Sequence, residues 1–367
     1  MKLNRVLLLL LALPATWLTA ATSPQPPRPS IIFIQCHGLA QGDLSCYGQT
    51  NFQTPNLDRL AANGIRCTHY TGGMDSSATT AQLLGGKISG ATAGDANLAQ
   101  RLQQNGYRTG LIGEWGLASQ PWTQGFDEFA GFMDDAEGKN YYSDFVWRYA
   151  PKSIFNETNK TFDAFAGKEA LYPNLGGKKG QYLPDLFVSA ANNFVRVNAP
   201  DPANHFRPFF LLVNLPAPRT ATTGADDFPV PSDAPFSDEP WPQAAKNRAA
   251  LITRIDGGIG RLFEQLNKSG LTNNVAVFFS ASSAPEKFTN TNLNFLLPAG
   301  DFGGGKKPAP LPMIVNWPET IPAGQVSQQP WTAKDFAPTV LELASIKLAT
   351  NFTGESVLPT LVGQKSK

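Results

Sequence analysis

The chain has 367 residues, 42% hydrophobic and 16% charged. That is enough apolar material for a sizeable core and argues against a disordered chain. A formal net charge of +1 leaves no general attraction to nucleic acid or an anionic membrane.

The N-terminal stretch MKLNRVLLLLLALPATWLTAATS carries Lys2 and Arg5, then an apolar run from Val6 to Leu13, then small residues at Thr19, Ala20 and Ala21. The run is too short to span a bilayer. This predicts a signal peptide over 1–21, export to the periplasm or the extracellular space, and no transmembrane segment in the mature chain. A Pro-rich leader over 22–29, a main domain over 30–360 and a tail over 361–367 follow. SIIFIQC reads as a buried parallel strand. TPNLDRLAANG carries the start and stop signals of a helix. ANLAQRLQQNGYRTGLIGEW reads as a helix, a Gly stop and a strand. Residues 135–181 and 219–242 are rich in Asn, Asp, Gly and Pro and read as surface excursions. Between them lies a second buried strand, RPFFLLVNLPAP.

WPQAAKNRAALITRIDGGIGRLFEQLNKSG reads as a long helix bent or broken at Gly257-Gly258. NNVAVFFSASS and PLPMIVNWP are strands, and TAKDFAPTVLELASI is a helix interrupted by Pro338. Strands alternating with helices give an α/β fold with a mostly parallel sheet. In such folds function sits in loops at the carboxyl ends of strands, here beginning near Cys36, Glu114, Leu215 and Ala281. Cys36, Cys46 and Cys67 match no metal or disulfide spacing and read as small buried residues. MDSSATTAQLLGGK, residues 74–87, has the small hydroxylated residues of an active-site rim.

Four stretches together resemble the sulfatase family of the alkaline phosphatase superfamily. They are IIFIQCHGLAQGDLSCYGQTNFQTPNLDRLAANGIRCTHYTGG, LLGGK with its preceding hydroxyl run, NGYRTGLIGEWGL with GFDEFAGF, and the region from RPFFLLVNLPAP through FFSASSAP to LPMIVNWPETIPAG. They cover about residues 30 to 360 in family order. The resemblance implies a large mixed, mostly parallel sheet flanked by helices on both faces. Family members usually continue with a smaller C-terminal subdomain. This chain ends at Lys367, so that piece is expected to be missing. Family enzymes hydrolyse sulfate esters with a calcium held by carboxylates and an amide, and with a formylglycine made from Cys or Ser.

Carried over position by position, the resemblance places His37, Gly38, Ser282 and Ser283 where the family has its calcium ligands. These offer an imidazole, no side chain and two neutral hydroxyls, a poor set for calcium. Ser76 stands at the nucleophile position and Thr80 at the motif's arginine. Thr80 lacks the guanidinium that modification and catalysis require. Glu114 and Gly116 replace a lysine and a histidine in GEWGLA, and Arg219 replaces a histidine in APR. Glu114 inverts the charge where sulfate would sit. The late lysine facing substrate is Lys306 or Lys307.

Glu114 and His37, taken as lying on adjacent strand ends, can pair as a remnant acid/base couple. Without carboxylates beside it, Ser76 reads as a hydroxyl capping the helix that starts near Thr79, a role Asp75 can equally fill. Gly42, Asp43, Tyr47, Trp115, Asp256 and Trp317 match the family at positions of geometry and packing. The scaffold matches while the residues with chemistry differ. The expectation is a catalytically inactive sulfatase-fold protein that binds a glycan or a protein partner and needs no cofactor. The alternative is an active sulfuric or phosphoric ester hydrolase with a remodelled site, and calcium would return with it.

Overall fold

A computed structural model describes residues 28–85, 96–156, 158, 161–221, 228–286, 296 and 309–364. The segment read as a signal peptide, 1–21, and both Lys306 and Lys307 lie outside the described residues. In chain order the elements are β1 (Ser30–His37), α1 (Pro55–Ala62), β2 (Ile65–Thr71), α2 (Ser76–Leu84), α3 (Leu98–Gln104), β3 (Arg108–Glu114), β4 (Glu128–Phe132) and α4 (Asp135–Gly138). Next come β5 (Phe145–Asn156), β6 (Thr161–Ala170), α5 (Leu183–Asn198), β7 (Phe209–Leu215), α6 (Gln243–Lys268) and β8 (Val275–Ser283). The chain ends with β9 (Pro310–Asn316), β10 (Gln325–Ser327), β11 (Trp331–Thr332), α7 (Phe336–Leu343) and α8 (Leu358–Leu361).

One mixed sheet runs β10-β2-β9-β8-β1-β7-β3-β4-β5-β6, with β11 paired to β2. Its centre, β8-β1-β7-β3-β4, is parallel. The apolar runs of β1 and β7 are buried throughout because helices cover both faces. Alternation along β1 turns Phe33 and Gln35 to one face. There Phe33 meets Phe336 of α7 at 4.5 Å and Gln35 donates to Thr80 of α2 at 3.1 Å. Because Phe33 is level with Leu212, Phe209 points the other way and packs on Phe194 of α5 at 5.7 Å. Each such side chain contributes about 1.5–3 kcal/mol by leaving water.

Three readings of the sequence need correction. α6 runs unbroken for 26 residues through Gly257-Gly258. The reason is packing: a Cβ on Gly258 would lie 2.8 Å from Val188 of α5. Pro338 does not interrupt α7 but lies in its first turn, where no helical N–H is needed. The excursion over 135–181 contains the antiparallel hairpin β5-β6, hidden because apolar and charged residues mix on each of its faces, as Val146 opposite Glu169 and Trp147 opposite Lys168. Cys36, Cys46 and Cys67 are free thiols, and burial pushes Cys46 and Cys67 each up to about 12. Among the described residues, no helix is long and apolar enough to cross a membrane.

Candidate functional site

The parallel strands β1, β3, β7 and β8 end at one edge of the sheet, and their registers bring His37 level with Ser283, and Gly113 with Asn214. Between Cys36 and His37 the β1–β8 register slips, because β8 carries one extra residue, Ser282. Such a bulge re-aims a side chain. Ser282 Oγ here accepts from Ser76 Oγ at 2.9 Å and approaches the Cys36 carbonyl at 3.4 Å. Ser283 Oγ accepts from Gly38 N at 3.2 Å. Ser76 is the first residue of α2, which starts there and not near Thr79. The cap is Asp75, whose carboxylate accepts from Ala78 N at 2.7 Å. Ser76 is therefore a buried hydroxyl bonded to another hydroxyl, and among the described residues no base is bonded to it.

A charged cluster lies next to this hydroxyl pair. Arg219, four residues beyond β7, reaches back under the strand ends and is buried. Its Nη2 lies 2.9 Å from Glu114 Oε2 at the end of β3. That is ion-pair distance without hydrogen-bond alignment, and among the described residues neither Glu114 oxygen has a hydrogen-bond partner. The contact is therefore electrostatic rather than directed. Arg219 Nη2 also donates to the Asp135 carbonyl at 2.9 Å, and Nη1 donates to the Asp135 carboxylate. Burial pushes the Asp135 carboxyl up, but Arg219, His37 and Lys139 outweigh it and hold it below the usual carboxylate range. Nη1 lies 2.9 Å from His37 Nδ1. A guanidinium can only donate, so His37 Nδ1 accepts and carries the lone pair. His37 Nδ1 stands 3.7 Å from Glu114 Oε2, so the two do not bond directly. Nor are their strands adjacent, since β7 lies between β1 and β3.

Behind the cluster, Arg248 of α6 is fully buried and bonds Asp43 through two nitrogens, at 2.6 and 3.2 Å. It also donates to the carbonyls of Pro218 and Gly38 at 2.8 and 3.0 Å. One cation thus ties the loop after β1 to the loop after β7. Asp256 accepts from the amides of Asn56 and Leu57 at the start of α1, at 3.1 and 2.8 Å. Among the described residues the cluster borders a cavity of about 40 Å³, lined by His37, Gly38, Lys139, Arg219, Arg248 and Glu286 among others. Pockets for drug-sized ligands run to several hundred Å³.

The sulfatase family model matches residues 29–346. The chain belongs to the sulfatase family. It is 27% identical to N-acetylgalactosamine-6-sulfatase of Rattus norvegicus over 97% of this chain and 69% of that one. It is 25% identical to N-acetylglucosamine-6-O-sulfatase of Bacteroides thetaiotaomicron over 96% of this chain and 75% of that one. The structure of Ps i-CgsB in complex with k-i-k-neocarrahexaose has the same fold, with a TM-score of 0.69 at 24% identity, covering 91% of this chain and 76% of that one.

The positions that the resemblance assigns to calcium hold a donor set unlike the carboxylates and amide it implies. His37, Gly38, Ser282 and Ser283 bring no carboxylate, and both serine hydroxyls are engaged with Ser76, Cys36 and Gly38. Two of the altered sulfatase positions have left-handed backbone. Gly38 and Gly116 have φ of +81° and +71°, which disfavour the aspartate and histidine that the resemblance assigns there. A Cβ on Gly38 would lie 3.1 Å from the Pro218 carbonyl. Thr80 is buried, and its hydroxyl accepts from Gln35. Sequence reasoning missed Asp135 and Arg248. The sign of Arg248 was a lone charge among Ala245, Ala249 and Ile252 on the apolar face of α6.

Proposed function

We propose that this is an exported sulfatase-fold protein that does not hydrolyse sulfate esters and serves by binding a glycan or a protein. The observation that carries the reading is the Glu114–Arg219 pair. The resemblance expects a lysine and a histidine at these positions, two groups that meet an anionic sulfate. The chain has an acid and a base 2.9 Å apart that neutralise each other. A sulfate entering there would face a buried carboxylate and compete with it for the guanidinium. Relatives named for N-acetylgalactosamine and N-acetylglucosamine sulfates make a glycan the first partner to try. A second reading, an ester hydrolase using Ser76 directly, draws on the meeting of Ser76 and Ser282. A serine nucleophile needs a base or a metal, and its neighbour here is a neutral hydroxyl.

The two readings separate on the modification and on the metal. Mass spectrometry of the peptide holding Ser76 should give unmodified serine, and millimolar calcium should leave the melting temperature unchanged, because only ligands of the native state raise it. A peptide lighter by two hydrogens, or a calcium-dependent shift of several degrees reversed by a chelator, would refute the inactive reading.

A further inference from the structure

We propose that His37, Glu114 and Asp135 form a binding site for a zinc-class divalent cation, in competition with the Arg219 guanidinium. One ligand atom from each residue lies within 4.8 Å of the others. His37 Nδ1 is 3.7 Å from Glu114 Oε2 and 3.8 Å from Asp135 Oδ1. Zinc bonds of about 2.0–2.2 Å in a tetrahedron set ligand atoms roughly 3.3–3.5 Å apart. The two distances from His37 need to contract by only a few tenths of an ångström, and the Glu114–Asp135 separation, within 4.8 Å, by no more than about 1.5 Å.

Three further observations point to a cation. Glu114 is 1% exposed, and neither of its oxygens has a hydrogen-bond partner among the described residues, so a buried charge is left with one undirected ion contact. A carboxylate so placed gains from a ligand that can bond it directly. The Nδ1 lone pair of His37 is taken by Arg219 Nη1, the group a metal would displace, and Nδ1 is the atom that lies near both carboxylates. Arg219 offsets one of the two carboxylate charges from within the cluster, and Lys139 lies 3.4 Å from Asp135 on the half-exposed side, where pairing contributes little. A divalent ion would offset both.

One imidazole with two carboxylates suits zinc, whereas calcium and magnesium prefer more oxygens. Asp135 is 46% exposed and gives the ion a way in. Of the positions the resemblance assigns to calcium only His37 takes part, while Gly38, Ser282 and Ser283 do not, and the site stands whether or not the chain hydrolyses sulfate esters. Competing ligands are few: the only other histidines are the exposed His69 and His205, and burial pushes the thiols of Cys36, Cys46 and Cys67 up.

The test titrates the full chain with cobalt(II), followed by its visible absorption, and then displaces cobalt with zinc. One equivalent should bind. His37→Ala and Glu114→Gln should abolish binding, and His69→Ala should leave it unchanged. Arg219→Ala should tighten it by at least about tenfold, because the guanidinium no longer excludes the metal from most molecules. Asp135→Asn keeps the fold because its side chain is half exposed, and it should weaken binding by about 10- to 100-fold even if Arg219→Ala does not fold. No stoichiometric binding by the unaltered chain, or binding indifferent to His37→Ala and Asp135→Asn, would overturn the proposal.

Discussion

Replacing Arg219 by methionine should lower the stability of the metal-free chain by about 3–5 kcal/mol. The substitution keeps most of the side-chain volume but leaves Glu114, 1% exposed, as a buried carboxylate with no cation at 2.9 Å. Asp135 would lose its partner too, yet it is half exposed and water can solvate it. The loss therefore comes chiefly from Glu114. Adding Glu114→Gln to Arg219→Met should recover most of it, because the double variant buries no unpaired charge. Urea unfolding of the two single variants and the double gives the coupling. A single-variant loss below about 1 kcal/mol would mean that the pair is not the electrostatic centre of the site.

Arg248→Met should cost at least as much, because Asp43 is fully buried and has no route to water. Its carboxylate would keep only the Ala40 amide at 2.8 Å. The Pro218 and Gly38 carbonyls would each lose a donor, at about 1–3 kcal/mol for a buried group left unpaired. The expected loss is about 4–8 kcal/mol, enough to unfold a chain of ordinary stability. Asp43→Asn with Arg248→Met should be milder than Arg248→Met alone. An Arg248→Met protein with an unchanged urea midpoint would show that the loops after β1 and β7 do not depend on this cation.

The central strands were legible because burial on both faces leaves continuous apolar runs, as in SIIFIQC and FFLLVNL. The β5-β6 hairpin was not, since Val146 and Arg148, two apart and so on one face, break the alternation, and Gly, Pro and Lys dilute the apolar signal further. At the site, the positions of Ser76, Glu114, Arg219 and Ser282 followed from motif spacing, but their partners did not. Ser76 finds Ser282 only because a bulge in β8 turns that residue. Asp135 belongs to a four-residue helix with no periodic signature, and only the fold brings it to Arg219. The opposite changes at positions 114 and 219 are complementary in charge, and that complementarity was available in the sequence before any contact was seen.

The central claim is that a sulfatase scaffold here carries a site whose charges answer each other and leave none for a sulfate ester. Its most direct measurement is turnover of an aryl sulfate by the purified chain, with and without calcium, beside a Ser76→Ala variant. The account predicts no release of the aryl alcohol above buffer in any of the three. Calcium-dependent release by the unaltered chain that disappears in Ser76→Ala would contradict it.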